Sequence, residues 1–441
     1  MKRNWFILMI SVLMVLVLAA CGNKEDANSS SKEKKNEDVT LKFYTWINEE
    51  NGNWKKSVEA FEKEHPGIKV DVNVLVENMN SADYYKKLDL IAASGDTMDV
   101  IMLSNSRFLS QRASVGMIEP LNKYMDDEKL KIEEEYDMSA SPASAEGEYY
   151  GLPSKFNKYL VMLNKDHLDK AGLEVPTDWT WDEYKEYAKK LTTKDHFGSY
   201  LHTWPHQHHT MKLLSQTEGT QLLKEDGSSN MDDSMVKASL KLRYELEKED
   251  KTSVPYTDII SQKLDYRQQF FSQQASMVPI TSYMVTEWGG FTPEFPITWA
   301  PWPKNSESDS LNAFTTADIM SISKKSEHKD AAYEFIRWMT TEGMLVQNKS
   351  IPAWKQIDLN DVLKNLAANT TNPDAVDIEA LTYVLGNTIS SKQFLPASYL
   401  TEAYNAFNVE AELYLLGEQD LETTAKKAKQ SVQGVIDANK K

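Results

Sequence analysis

Residues 39–103 read VTLKFYTWINEENGNWKKSVEAFEKEHPGIKVDVNVLVENMNSADYYKKLDLIAASGDTMDVIML, and their periodicity decides the fold. Val39, Leu41, Phe43 and Thr45 alternate with polar or smaller neighbours, the period of two expected when one face of a strand meets a core. After Gly52 the interval lengthens to that of a helix at Trp54, Val58 and Phe61, and Pro66 with Gly67 ends it. Val70, Val72, Val74 and Val76 restore the alternation, Tyr84, Leu88 and Ile91 mark a second helix closed by Ser94 and Gly95, and Asp99 to Leu103 is a short apolar strand. Strands alternating with helices of this length predict a parallel sheet covered on both faces and joined by right-handed crossovers. Ligands of such sheets bind beyond the carboxyl ends of the strands.

Further along, Leu160 to Leu163 reads as a strand, and Trp181 to Leu191 as a helix introduced by Pro176, Thr177 and Asp178. Thr210 to Glu249 is mostly helical by composition. Ala331, Ala332, Phe335, Ile336 and Met339 form one apolar helical stripe, and Leu421, Ala425, Ala428, Val432 and Ile436 another. A chain of 441 residues exceeds what one core usually supports, so two lobes are expected, and a single cysteine rules out internal disulfides. Towards the start, Lys2 and Arg3 precede an apolar run, Trp5 to Ala20, shorter than the roughly 20 residues a membrane span needs, which reads as a cleaved export signal. Leu18, Ala19 and Ala20 before Cys21 and Gly22 resemble the lipobox of bacterial lipoproteins. That implies a signal peptide over 1–20, a lipid on Cys21 and a polar tether over 21–38. Gly22 offers no retention signal of the diderm kind, so the outer face of a Gram-positive cell membrane is the expected location. With 66 acidic against 49 basic residues the net charge is −17, which disfavours nucleic acid as a partner.

The ordered segments Leu41 to Trp46, Phe61 to Val70, Ala93 to Asp96, Tyr150 to Pro153, Asn164 to Asp166, Ala171 to Leu173 with Pro176, and Trp181 to Glu183 together carry a resemblance. The chain resembles the extracellular solute-binding proteins of ABC importers, in the family that includes maltose-binding protein and oligosaccharide-binding lipoproteins. The resemblance implies two α/β lobes, each a mostly parallel sheet flanked by helices, with the ligand in the cleft between them. It implies discontinuous lobes, 39–153 with 313–349 and 154–312 with 350–441. It further implies a monomeric, non-catalytic receptor with no cofactor that delivers a sugar, in particular an oligosaccharide, to ABC permease subunits.

Sugars present hydroxyl edges and flat C–H faces, so a sugar site needs accessible aromatic rings and planar polar side chains. Trp46, Trp204, Trp288, Trp302 and Trp354 lie at predicted loops and are candidate ligand contacts. The family resemblance adds Asn48 and Glu50 after the first strand, Arg107 after the third, Asn157, and Tyr283 in place of a stacking tryptophan. Loss of the family's acidic residues beside Arg107 and at Asn157, with Lys155 and Lys158 nearby, points to a uronate-containing ligand, because an arginine fork binds a carboxylate bidentately. Two rival readings remain open. His202, His206, His208 and His209 have the spacing of a metal site, and abundant carboxylates leave room for a glycoside hydrolase, although no nucleophile elbow, phosphate loop or HExxH stretch occurs.

Overall fold

The computed structural model describes residues 38–139, 144–145, 147–203 and 208–440. The expected signal peptide and Cys21, with Trp204 and His206, lie outside the described residues. The opening stretch forms β1 (Val39–Thr45), β2 (Ile68–Val74) and β3 (Val100–Leu103), with β1 parallel to both neighbours. Two helices supply the crossovers, α1 (Trp54–Glu64) and α2 (Ser81–Ser94). Asn80 starts α2 by accepting from the amides of Ala82 and Asp83, and Gly95 stops it at φ 88°, a left-handed conformation that costs glycine no Cβ clash.

One sheet continues through β4 (Leu152–Asn164), β5 (Phe197–Ser199), β6 (Ala275–Thr281), β7 (Ile297–Pro301) and β8 (Thr315–Ile322). Its order is β2-β1-β3-β8-β4-β6-β5, with β7 also paired to β4. β4 joins the lobes: its first half pairs with β8, which also pairs with β3, and its second half pairs with β6 and β7. A third strand-like crossing lies alongside, where the Phe156 amide donates to Ile351 O at 2.8 Å and the Ala353 amide to Ser154 O at 2.7 Å.

The first lobe's core draws on residues 41–152 and 319–344, with Phe43 edge-on to Trp54 at 5.2 Å and to Phe335 of α6 at 5.6 Å; α6 is Lys329–Met339. In the second lobe Leu160 and Met162 face one core, and Tyr159, Val161 and Leu163 face another. Both faces of β4 are therefore covered, which explains its unbroken apolar run. The second of these cores packs Trp181 of α4 (Trp181–Leu191), whose start is a capping box between Thr180 and Glu183. A third joins α5 (Ser234–Tyr244) to α7 (Leu400–Leu416) and α8 (Leu421–Asn439). Among the described residues no helix is long and apolar enough to cross a membrane.

Two expectations need correction. The second lobe's part of the sheet is mixed: β4 is antiparallel to β6 and β7, and β5 is parallel to β6. β4 runs outward from the lobe junction, so strands that return to the junction must oppose it. The stretch 210–249 is helical only over Met211–Leu214 and from Ser234 onward; between them Leu223 and Ser229 bridge across a turn at Gly227.

Candidate functional site

A strand's period of two sends Lys155, Asn157 and Tyr159 of β4 to one side and Phe156 and Lys158 to the other. Asn157 is opposite Thr316 of β8, and Tyr159 opposite Thr281 of β6. The β8–β4 register shifts between Ala317 and Ile319, where Ser154 and Lys155 of β4 oppose the single residue Asp318 in a bulge, a device that re-aims a side chain. These residues, with Tyr283 and Glu287 just past β6, floor a cleft of about 990 Å³ to which both lobes contribute.

The first lobe's wall is Trp46, Tyr85 and the start of α3 (Ser106–Ser114). Asn105 caps α3, accepting from the amides of Arg107 at 3.1 Å and Phe108 at 3.4 Å, and so fixes both side chains at the cleft. Phe108 stacks on Tyr85 at 4.0 Å. The opposite wall is one face of α7, where Thr401, Tyr404, Asn405 and Asn408 recur at helical spacing. The Arg107 guanidinium lies over the Phe108 ring at 4.8 Å and the Tyr404 ring at 5.7 Å. Among the described residues it makes no ion pair, and burial disfavours its charged form.

Charge is concentrated on the floor. Lys155 pairs with Glu287 and lies 4.0 Å from Asp318, and Arg267 donates from Nε to Glu287 O at 2.7 Å, its Nη2 lying 4.0 Å from the Glu287 carboxylate. Burial acts against the Lys155 charge, but Glu287 and Asp318 outweigh it and hold the ammonium above its usual range. Burial pushes the Asp318 carboxyl up to about 7, against the pull of Lys155 and with the push of Glu287. Four buried polar atoms on the lining have no hydrogen-bond partner among the described residues: Asn157 Oδ1, Thr281 Oγ1, Thr401 Oγ1 and Asn408 Oδ1. Such atoms are rare in folded proteins, and clustered on one cleft they are ready for a ligand.

Trp46, Arg107, Asn157 and Tyr283 all line this cleft. Asn48 and Glu50 do not line it: Asn48 caps the helix Glu49–Gly52 by accepting from the Asn51 amide at 3.1 Å, and Glu50 is exposed on that helix. Trp288 and Trp302 depart from expectation, being only 4% and 0% exposed. Trp288 donates to Met284 O at 2.8 Å, and Trp302 lies edge-on to Trp181 at 5.3 Å. The adjacent glycine and prolines make the turns, while the indoles fill the core. Trp354 is half-buried against the first lobe's core, its backbone bridging Tyr136.

The expected excess of cations over carboxylates is also corrected. Lys155 is committed to Glu287, and Lys158, on the far face of β4, donates to Leu385 O at 3.2 Å and Thr388 O at 2.7 Å, its pKa lowered to about 8 by burial. In the histidine segment, His208 Nε2 lies 3.1 Å from Pro279 O, His202 meets the Tyr266 ring at 4.6 Å, and the described residues hold no group of three metal-ligating side chains. Sequence reasoning missed Tyr85, Phe108, Glu287, Asp318 and the face of α7. Only the last had a signal, an uncharged polar stripe at helical spacing beside the glutamates and apolar residues of the same helix.

The sequence profile of the bacterial extracellular solute-binding proteins matches residues 45–345. The galactooligosaccharide-binding protein of Bacillus subtilis is 28% identical over 235 residues, 53% of this chain and 51% of that one. The multiple sugar-binding protein of Streptococcus mutans is 24% identical over 349 residues, 75% of this chain and 76% of that one. The match to a putative binding protein of Brucella abortus spans 41% of that protein's length. In fold, an ABC substrate-binding protein from Listeria monocytogenes in complex with cycloalternan superposes with a TM-score of 0.73 at 22% identity, covering 90% of this chain and 98% of that one. With a two-lobed fold, a cleft at the lobe junction and a profile match over most of its length, the chain belongs to the bacterial extracellular solute-binding proteins.

Proposed function

We propose that the chain is the receptor of an ABC importer, closing over an oligosaccharide and presenting it to the permease without chemical change. The observation that carries this reading is the make-up of the cleft, whose lining combines the rings of Trp46, Tyr85, Phe108, Tyr283 and Tyr404 with the amides of Asn157, Asn405 and Asn408. Rings match the C–H faces of sugars and amides match their hydroxyl edges. The names of the Bacillus subtilis and Streptococcus mutans relatives agree with a sugar. In this reading residues 39–153 with 313–349 move against 154–312 with 350–441, bending at β4, β8 and the 351–353 crossing, and the ligand raises permease affinity by shifting the open–closed population.

The receptor acts as a monomer tethered to the outer face of a Gram-positive cell membrane by lipid on Cys21, the reading supported by Leu18, Ala19 and Ala20 before that cysteine. The uronate reading persists in a narrower form. With Lys155 and Lys158 engaged, Arg267 beside Glu287 and Lys86 paired with Asp83, a ligand carboxylate is best met by the guanidinium of Arg107, which makes no ion pair among the described residues. A thermal-shift screen against neutral and uronic oligosaccharides tests the function, since a ligand of the folded state must raise its melting temperature. A shift with at least one oligosaccharide is expected. Shifts with none, or release of reducing ends during incubation, overturn the proposal.

A further inference from the structure

We propose that Asp318 selects the innermost unit of the ligand by accepting a hydrogen bond from a hydroxyl of an uncharged sugar ring, with Asn157 and Thr281 holding the neighbouring hydroxyls. The proposal rests on the sugar reading above and names what the floor of the cleft recognises. Opposite the bulge in β4 the Asp318 side chain lines the floor, where it is 4% exposed and its carboxylate makes no hydrogen bond among the described residues. The near cation, Lys155, is already paired with Glu287 and stands 4.0 Å off. On the same floor Asn157, 7% exposed, and Thr281, 4% exposed, each carry an oxygen with no partner among the described residues.

Two of these three groups present acceptors alone. Ionised Asp318 and the open Asn157 Oδ1 only accept, so the ligand groups that satisfy these two must donate, while the Thr281 hydroxyl can accept from or donate to a neighbouring sugar hydroxyl. Hydroxyls donate and a ligand carboxylate cannot, so a uronic carboxylate placed here would meet Asp318 and Glu287 as like charges. The inner ring is therefore neutral, and any acidic group of the ligand belongs at the Arg107 end of the cleft.

The groups facing Asp318 are Lys155 from β4, Glu287 beyond β6, and Tyr85 from α2, whose hydroxyl is occupied by Ser104 at 2.9 Å. Behind them Arg267 and Tyr283 face Glu287 and Lys155. In the empty cleft Asp318 is partly protonated near neutral pH, because burial outweighs Lys155. A ligand hydroxyl that donates to it favours the ionised form, so the displaced proton passes to the buffer as the sugar binds. A purely structural carboxylate would release none.

Titration calorimetry with galactotriose, arabinotriose and maltotriose, near pH 7 in two buffers of different ionisation heat, reads this directly. For each sugar that binds we expect release of about half a proton, affinity that falls as the pH drops below neutral, and roughly 10- to 100-fold weaker binding by Asp318→Asn with the proton release gone. Thr281→Val should weaken binding by about 5-fold and keep the proton release. Binding without proton release, or with proton uptake, overturns the assignment in the unaltered protein, whether or not the variant folds. A folded Asp318→Asn protein that binds like the parent also overturns it. If none of these three binds but another oligosaccharide shifts the melting temperature, the proton count is read with that one; if no oligosaccharide binds, the sugar reading falls and this assignment with it.

Discussion

Arg243 and Glu247 are both fully buried in the helix begun by α5, while Lys155, Glu287 and Asp318 are nearly as buried on the floor of the cleft. The first cluster is closed on itself. Arg243 donates to Glu247 at 2.7 Å and to the carbonyls of His202 at 3.0 Å and Leu201 at 3.3 Å, and Glu247 accepts the Tyr256 amide at 2.9 Å. The second is open, because Lys155 is taken by Glu287 and Asp318 is left without a hydrogen bond among the described residues. A buried polar network repays its desolvation only when every member is satisfied. The closed cluster therefore serves the fold, pinning the strand end that carries His202 to the cleft. The open one costs stability until a ligand completes it.

The largest effect that bears on this contrast is loss of the closed cluster. Glu247→Ala leaves Arg243 charged and buried, and should lower unfolding free energy by about 3–5 kcal/mol in urea denaturation; an unchanged midpoint would break the contrast. Trp302→Ala should cost about as much, roughly 3–5 kcal/mol, whereas Trp46→Ala, at a ring 7% exposed that packs on Tyr84 and also lines the cleft, should lower both stability and sugar affinity. A folded Trp46→Ala protein that binds sugar like the parent would remove Trp46 from the site. For the open cluster, Asp318→Asn removes an unsatisfied buried charge and should leave the midpoint of the empty protein unchanged or higher.

The pH dependence sharpens the same comparison because two buried groups tilt stability in opposite directions. His167 stacks on His196 at 4.0 Å, and burial, then the neighbouring His196, lower its pKa from 6.5 to about 4. The unfolded chain takes the proton first, so the stability His167 contributes is complete above about 6.5 and is lost progressively as pH falls towards 4. Asp318 is raised from 3.8 to about 7, so the folded state takes the proton first and stability rises as pH falls through that window. Denaturation at a series of pH values should show the acid loss flattened by His167→Gln and steepened by Asp318→Asn; identical curves for parent and variants would contradict both assignments. The smallest effect is expected from Asn408→Ala on the α7 wall, a loss of about 1 kcal/mol in sugar affinity by calorimetry.

Much of the fold could be read from residues alone where periodicity was clean. β1, α1, α2 and β3 fall where their alternation and caps place them, with Gly95 as the stop of α2. β4 was legible only over Leu160 to Leu163, because its first half carries Lys155, Asn157 and Lys158 among apolar neighbours and shows no simple pattern. Parity along β4 already set Lys155 and Lys158 on opposite faces, so they could not serve one ligand group together. Which face meets the cleft, however, depends on pairing with β8, more than a hundred residues away, and the bulge opposite Asp318 leaves no local signature. The tryptophans misled for a related reason: proline and glycine neighbours report the backbone turn, not where the indole packs.

The central claim is that two lobes close over an oligosaccharide held between them. Small-angle X-ray scattering of the chain with and without the sugar giving the largest thermal shift measures this directly. The account predicts a smaller radius of gyration at saturating sugar, returning to the starting value when the sugar is dialysed away. An unchanged radius at saturation would contradict it.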